Sequence, residues 1–417
     1  MPLIKSWVAS ANSPDTPFPL NNLPFGVFST AGTTPRCGVA IGDLILDLAA
    51  TDNAGLLEVD GGPVFDRPNW NGFMALGPEA WAQLRARLTE LLGDGAAARP
   101  QLEPLMLPQV DAELHLPISV TEYTDFYAGM QHAKNMGAIL RGSPDLPANW
   151  LHIPIGYNGR ASSVVVSGTD IHRPNGQTKA PDAEAPSFGP SKRLDIELEL
   201  GAIVGTPSEL GAPVTVDQAD AMIFGYVLLN DWSARDIQGW EYQPLGPFQG
   251  KAFGTSISPW IVTAAALDPF RAPVPDREKP LLPYLHSKID GLFDIELEVQ
   301  MQPAGADRPS TLSRTNYNRM YYSAAEQLCH HAVGGCGMRV GDLLGSGTIS
   351  GPERHEYGSL MELSWAGRDP FTLDTGETRS FIEDGDTMVL RGAAKGDGYQ
   401  IGFGDCSGRI LPARQLP

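Results

Sequence analysis

The chain has 417 residues, too many for one small core and enough for a large domain beside a smaller one. Its 49 acidic against 30 basic residues give a net charge of −19, which repels phosphate backbones and anionic membranes and argues against nucleic-acid binding. An anionic substrate is not excluded, because a local cluster of Arg, Lys or metal reverses the field inside a pocket.

In chain order, the N-terminus "MPLIKSWVASANSPDTPFPL" has no long apolar run and four prolines, so it does not read as a signal peptide. No stretch of about eighteen apolar residues follows, so no membrane span and a cytoplasmic protein are expected. Next come strand-like runs such as "CGVAIGDLILDLA" and a helix, "PEAWAQLRARLTELLG". In that helix Pro78 suits the first turn, Trp81, Leu84, Leu88, Leu91 and Leu92 share a face, and Gly93 suits the C-cap. The prolines of "AAARPQLEPLMLPQVDAELHLP" interrupt regular structure and place a domain boundary near residue 116, giving domains 1–116 and 117–417.

Beyond it, short apolar strands are separated by Gly and Pro: "ASSVVVSG", "IELELGAIVG", "AMIFGYVLLND", "FDIELEVQM", "GSLMELSW" and "DTMVLRG". Helices are few. "TVDQADAMI" carries a capping box from Thr215 to Gln218, and "YNRMYYSAAEQLCHHAVGG" reads as a longer helix closed by Gly334 or Gly335. Residues 172–192 have no pattern of their own, and so long a loop is commonly functional. Cys37, Cys329, Cys336 and Cys406 form no CxxC pair, which predicts buried reduced thiols and no thiolate zinc site. The class is mainly β with a few helices, α+β.

Chemistry concentrates in four places. In "RLDIELELGAIVG" a strand sets Asp195, Glu197 and Glu199 on one face and Ile196, Leu198 and Leu200 on the other, so the acids are either a wet face or a cation site. In "TDFYAGMQHAKNMG" Asp125 and His132 read either as an N-cap and a surface histidine or, with Tyr127, as site residues. A third segment, "YVLLNDWSARDIQGWEYQPLGPFQGKAFGTSISPW", ends an apolar strand in Asn230 and Asp231. Arg235, Gln238, Tyr242 and Lys251 then line either a solvated loop or a pocket wall. In "GTISGPERHEYGSLMELSW" Glu362 lies among apolar neighbours, with Thr348 and Ser350 near, and burial would raise its pKa and suit it to proton transfer.

Taken together, "TDFYAGMQHA", "NWLHIPIGYNGRASSVVVSG", "LDIELELGAIVG", the segment 230–260, "GDLLGSGTISGPE" and "GDGYQIGFGDCSGRILPA" resemble the fumarylacetoacetate hydrolase family over most of residues 120–410. "NNLPFGVFST" fits the same family, whereas residues 40–115 and 264–313 carry no motif that can be placed. The resemblance implies a small N-terminal SH3-like barrel, a C-terminal mixed β-sandwich roll and a homodimer. It implies a divalent cation on Asp125, Glu197, Glu199 and Asp231, and a second, Mg²⁺, site touching Asp231, Lys251 and Thr255. Oxygen ligands without Cys or His favour Ca²⁺ or Mg²⁺ over zinc. Asp195 shares the face but inherits no role and is left as the wet or structural member.

The implied reaction is hydrolysis of the carbon–carbon bond of 4-fumarylacetoacetate, a small diketo acid, to fumarate and acetoacetate, the last step of tyrosine and phenylalanine catabolism. His132 and Glu362 match the family's water-activating pair, Arg235, Gln238 and Lys251 its oxyanion donors, and Tyr127, Arg141, Tyr157, Gln238, Tyr242 and Thr348 its substrate contacts. A sister activity on acylpyruvates, oxaloacetate or dienoic acids and a silent binding pocket are the rival expectations. A nucleotide enzyme finds no GxGxxG or GxxxxGK[ST] to rest on.

Overall fold

The computed structural model of the chain describes residues 1–57, 59 and 62–415. The N-terminal part builds an antiparallel five-stranded sheet, in the order Met106–Pro108, Leu44–Asp47, Arg36–Ile41, Phe25–Ser29 and Glu113–His115. The Arg36–Ile41 and Leu44–Asp47 hairpin turns at Gly42, whose φ of +58° only glycine adopts cheaply and where a Cβ would lie 2.2 Å from Ser10 Oγ. The helix Pro78–Leu92 forms as its periodicity predicts, with Pro78 in the first turn, Gly93 at the C-cap, and Leu84, Leu88, Leu91 and Leu92 buried.

This part stacks against the larger sheet through aromatic rings. Phe25 lies 4.4 Å from Trp70 and 5.6 Å from Phe224, and Trp81 meets Phe224 at 5.0 Å. Phe224 belongs to the buried strand Ile223–Asp231, so the N-terminal rings brace the strand whose far end carries Asp231.

That strand is central in a mixed eight-stranded sheet, ordered Gly156–Asn158, Tyr123–Phe126, Leu343–Gly345, Leu198–Val204, Ile223–Asp231, Thr255–Ile257 and Val164–Val166, with Val262–Thr263 also on Ile223–Asp231. A six-stranded sheet covers its other face, where Gly392 leaves room for Leu228 and Gly408 for Trp232. The chain is therefore mainly β within an α+β class, as expected. No helix of the described residues is long and apolar enough to cross a membrane.

Several local expectations give way. The helix expected from residue 317 starts only at Ala324, because Ser323 and Glu326 form a capping box there, while Tyr317–Arg319 is a single 3₁₀ turn. "GSLMELSW" is not a strand: Ser359 caps the one-turn helix Leu360–Leu363 by accepting from the Glu362 amide. Residues 172–192 hold a hairpin of Asn175–Thr178 and Ser187–Pro190. Cys336 is exposed, unlike the other three thiols, all four being unpaired.

Candidate functional site

The acidic segment is not a wet face. Its strand breaks after Leu194–Asp195 and resumes at Leu198–Val204, and Asp195, Glu197 and Glu199 are all buried. Asp125 sits in the strand Tyr123–Phe126 rather than at an N-cap, since Gly129 occupies the position before the helix Met130–Arg141. Asp231 ends the strand Ile223–Asp231 opposite Thr255. One oxygen each from Asp125, Glu197, Glu199 and Asp231 lie within 4.8 Å of one another, all four residues buried.

The charges around this cluster are uneven. The Lys251 ammonium donates to Glu197 Oε2 at 2.6 Å and to Asp231 Oδ2, and Arg235 Nη1 donates to Glu197 Oε1 at 2.7 Å. Burial pushes the Glu197 carboxyl up, but Lys251, Arg235 and His132 outweigh it and hold Glu197 far below the ordinary carboxylate range. Glu199 and Asp125 have no such cation. Burial first, then their acidic neighbours, push both well above the ordinary range, and burial also raises Asp231 against the pull of Lys251.

The donor set fits a hard divalent cation. It is all carboxylate oxygen, Glu199 Oε1 is buried without a hydrogen-bond partner, and Gly345 on the adjacent strand leaves space, since a Cβ there would lie 2.9 Å from Glu199 Oε2. The remaining oxygens are held in place: Gly347 N–H donates to Glu199 Oε2 at 2.8 Å and Tyr157 Oη to Asp125 Oδ2 at 2.6 Å.

Beside the cluster lies a second, self-contained group. His132 is buried rather than superficial, and its Nδ1 meets Glu362 Oε2 at 2.7 Å. The same carboxylate accepts from Ser350 Oγ, Ser359 Oγ and Asn135 Nδ2, at 3.0, 2.7 and 2.8 Å. Burial pushes Glu362 up, yet His132 and these donors reverse the sign and leave it below the ordinary range, contrary to the expectation of a raised acid. A carboxylate can only accept, so Nδ1 carries a proton, and in the neutral ring Nε2 is left as the acceptor. Nε2 lies 3.9 Å from Glu197 Oε1, which faces it toward the acidic cluster. Asn135 and Ser359 were not legible as site residues; Asn135 sits one helical turn from His132, at i+3, the only sequence signal it offers.

Arg235 opens the helix Arg235–Glu241 and Lys251 lies in the short helix Gln249–Ala252. Among the described residues, buried Arg235 Nη2 has no partner, which makes it a free donor at the site. Gln238 Oε1 accepts from Arg235 Nη1 at 3.2 Å, and Gln238 is half-buried. Glu241 accepts from the amides of Phe248, Gln249 and Gly250, docking the second helix on the first. Of the aromatic residues in this segment, Trp232 is core, whereas Trp240, Tyr242 and Phe248 are exposed. Tyr127 stands edge-on to His132 at 5.7 Å, and Thr348 is buried with its hydroxyl unpartnered among the described residues. Thr255 Oγ1 is 3.4 Å from Asp231 Oδ1. Arg141 is exposed at the end of its helix, donating to the Asp145 carbonyl at 2.8 Å, so it is not drawn into the polar cluster.

The fold and the geometry agree with what the chain resembles. Residues 121–410 match the family described as fumarylacetoacetate (FAA) hydrolase C-terminal, and residues 21–117 match fumarylacetoacetase N-terminal. The chain is 48% identical to the fumarylacetoacetase of Arabidopsis thaliana, covering 99% of this chain and 100% of the relative. Against the human fumarylacetoacetase the identity is 49%, over 96% and 97% of the two chains. Among solved structures, a fumarylacetoacetate hydrolase from Exiguobacterium antarcticum matches with a TM-score of 0.53 at 17% identity, covering 94% of this chain and all of the other. That likeness speaks for the fold alone. With both family matches and near full-length relatives in agreement, the chain belongs to the fumarylacetoacetate hydrolase family.

Proposed function

We propose that the protein is a fumarylacetoacetase: it hydrolyses the carbon–carbon bond of 4-fumarylacetoacetate, releasing fumarate and acetoacetate, the closing step of tyrosine and phenylalanine breakdown. The observation that carries this reading is the buried pair His132 and Glu362, 2.7 Å apart, with Nε2 facing four clustered carboxylates. Near full-length relatives bearing that name support the substrate.

In this reading Asp125, Glu197, Glu199 and Asp231 hold Ca²⁺ or Mg²⁺. A cation bound there supplies Lewis-acid charge for the diketone oxygens and for the enolate that departs. His132 Nε2 takes a proton from water, and Glu362, fixed by Asn135, Ser350 and Ser359, orients the ring and balances the charge it gains. The water oxygen bonds to the ketone carbon beside the fumaryl arm. The free Nη2 of Arg235, with Gln238 and Lys251, donates to the alkoxide that develops. The bond to the acetoacetyl carbon then breaks, its electron pair leaves as the enolate, and the proton held by His132 returns to that carbon.

Tyr127, Tyr157, Tyr242 and Thr348 are assigned to the substrate, with Arg141 at a terminal carboxylate. Its guanidinium reaches that role only by leaving the Asp145 carbonyl. The second, Mg²⁺, position at Asp231, Lys251 and Thr255 belongs to the same proposal. An ammonium has no lone pair to offer, so Lys251 would ligate there only through its backbone oxygen, which also accepts from the Phe253 amide. The division at residue 116, a homodimer and a cytoplasmic location complete the proposal.

The test is chelator-treated protein assayed on fumarylacetoacetate with and without added Ca²⁺ or Mg²⁺. Fumarate and acetoacetate in equal amounts, restored by metal, are expected. No cleavage under either metal contradicts the reading and turns attention to acylpyruvates.

A further inference from the structure

Asp195 precedes the metal-type acids by two residues and has no oxygen to spare for an ion. Its Oδ1 accepts from the Leu360 amide at 2.7 Å and from its own neighbour Ile196 at 2.8 Å. Its Oδ2 accepts from Arg235 Nε at 2.8 Å and from the Met361 amide at 3.0 Å. It is wholly buried. Each partner outside its own strand is a piece of the site described above: the guanidinium whose Nη2 is free, and the turn that carries Glu362. Those two pieces lie more than a hundred residues apart in sequence, in Arg235–Glu241 and Leu360–Leu363.

We infer that Asp195 is a positioning residue, which fixes the Arg235 guanidinium and the Glu362 turn relative to each other through one shared carboxylate. The claim rests on the reaction proposed above. A buried acid kept for stability alone has no need of these partners, and any backbone amide pair in the core would satisfy it. Here Arg235 is held at Nε by Asp195 and at Nη1 by Glu197, which fixes the plane of the fork and aims Nη2. The amides of Leu360 and Met361 are held on the same two oxygens, which sets where the Glu362 side chain emerges one residue later. The two functions, taking the proton and meeting the oxyanion, are thereby kept in register.

Asp195→Asn tests this because it keeps the shape and removes half of the acceptors. Whichever way the amide lies, its NH₂ faces an N–H donor that a carboxylate oxygen now accepts. The expected result is kcat lower by about tenfold to a hundredfold, with KM and Ca²⁺ affinity within about threefold of wild type. In the double variant with Arg235→Met, the combined loss in kcat is expected to be smaller than the product of the two single losses, since Asp195 acts in part through that side chain. Full multiplicative loss in the double variant, or wild-type kcat in D195N, overturns the inference.

Should D195N not fold, Asp195→Ala supplied with formate replaces it. Turnover per folded molecule, the folded fraction being read by near-ultraviolet circular dichroism, is expected to rise with formate. A value that stays flat while the folded fraction recovers means that Asp195 serves stability only, and overturns the claim. If the wild-type protein turns over no fumarylacetoacetate, the proposed reaction fails by itself. The ¹⁵N signals of His132 then decide the positioning claim: loss in D195N of the Nδ1–H signature bonded to Glu362 supports it, and an unchanged signature refutes it.

Discussion

Two buried carboxylate environments lie side by side, and Glu362 in one and Asp125 and Glu199 in the other titrate in opposite directions. Glu362 is held below the ordinary range although it is wholly buried, because a histidine and three further donors meet its two oxygens. Asp125 and Glu199, equally buried, are pushed far up because their nearest charges are other carboxylates. Burial raises both kinds, so what differs is the counter-charge. The oxygens of Glu362 are met by donors within the chain, whereas Asp125 and Glu199 have no paired cation among the described residues, the place the proposed metal ion would fill.

The largest expected effect breaks the Glu362 side. His132→Ala removes the proposed base and is expected to lower kcat by on the order of 10² to 10⁴, with Ca²⁺ binding retained, as calorimetry on the same sample checks. Glu362→Gln keeps the shape but offers an NH₂ where only acceptors fit, so kcat falls by about a hundredfold with metal retained. Unchanged turnover in that variant removes Glu362 from the mechanism.

On the four-acid side, Glu199→Gln weakens Ca²⁺ binding by at least about tenfold, since the charge count of the ligands tunes affinity over orders of magnitude. Undiminished affinity there returns the strand to a structural role.

The opposite titration directions give opposite pH dependences of stability. Asp125, Glu199 and Asp231 have folded pKa values above their unfolded ones. Through these three groups the metal-free folded form binds more protons than the unfolded form between about pH 4 and the raised values, and loses stability as pH rises through them. Saturating Ca²⁺ is expected to abolish that fall. Glu362, with a lowered folded pKa, contributes stability that is present above its unfolded value and is lost as pH falls through the folded one. Melting temperatures against pH, with chelator and with Ca²⁺, separate the two contributions. The smallest effect is expected at Arg141, exposed and outside both groups: Arg141→Ala raises KM by about threefold to tenfold and leaves kcat alone.

How much of this was legible in the sequence depended on range. Periodicity and capping chemistry are local, so the helix Pro78–Leu92 and the box at Thr215 and Gln218 form where the pattern places them. Glu197 and Glu199 are two apart in a segment that runs extended, and family motifs supplied the two acids from other strands. The sign of the Glu362 shift was out of reach, because it depends on Asn135 and His132, more than two hundred residues away, and on Ser359, whose cap turns an expected strand into a helix. The same holds for Asp195. Alternation set it beside Glu197 and Glu199, but its partners Leu360 and Met361 come from the distant turn of Glu362.

The contrast between the internally paired Glu362 and the four-acid cluster is tested most directly by titrating chelated wild-type protein with Ca²⁺ while following heat and turnover in one sample. Hydrolysis of fumarylacetoacetate is expected to rise in step with occupancy of a site that Glu199→Gln weakens. Full turnover in the metal-free protein, or Ca²⁺ binding that leaves turnover unchanged, would contradict it.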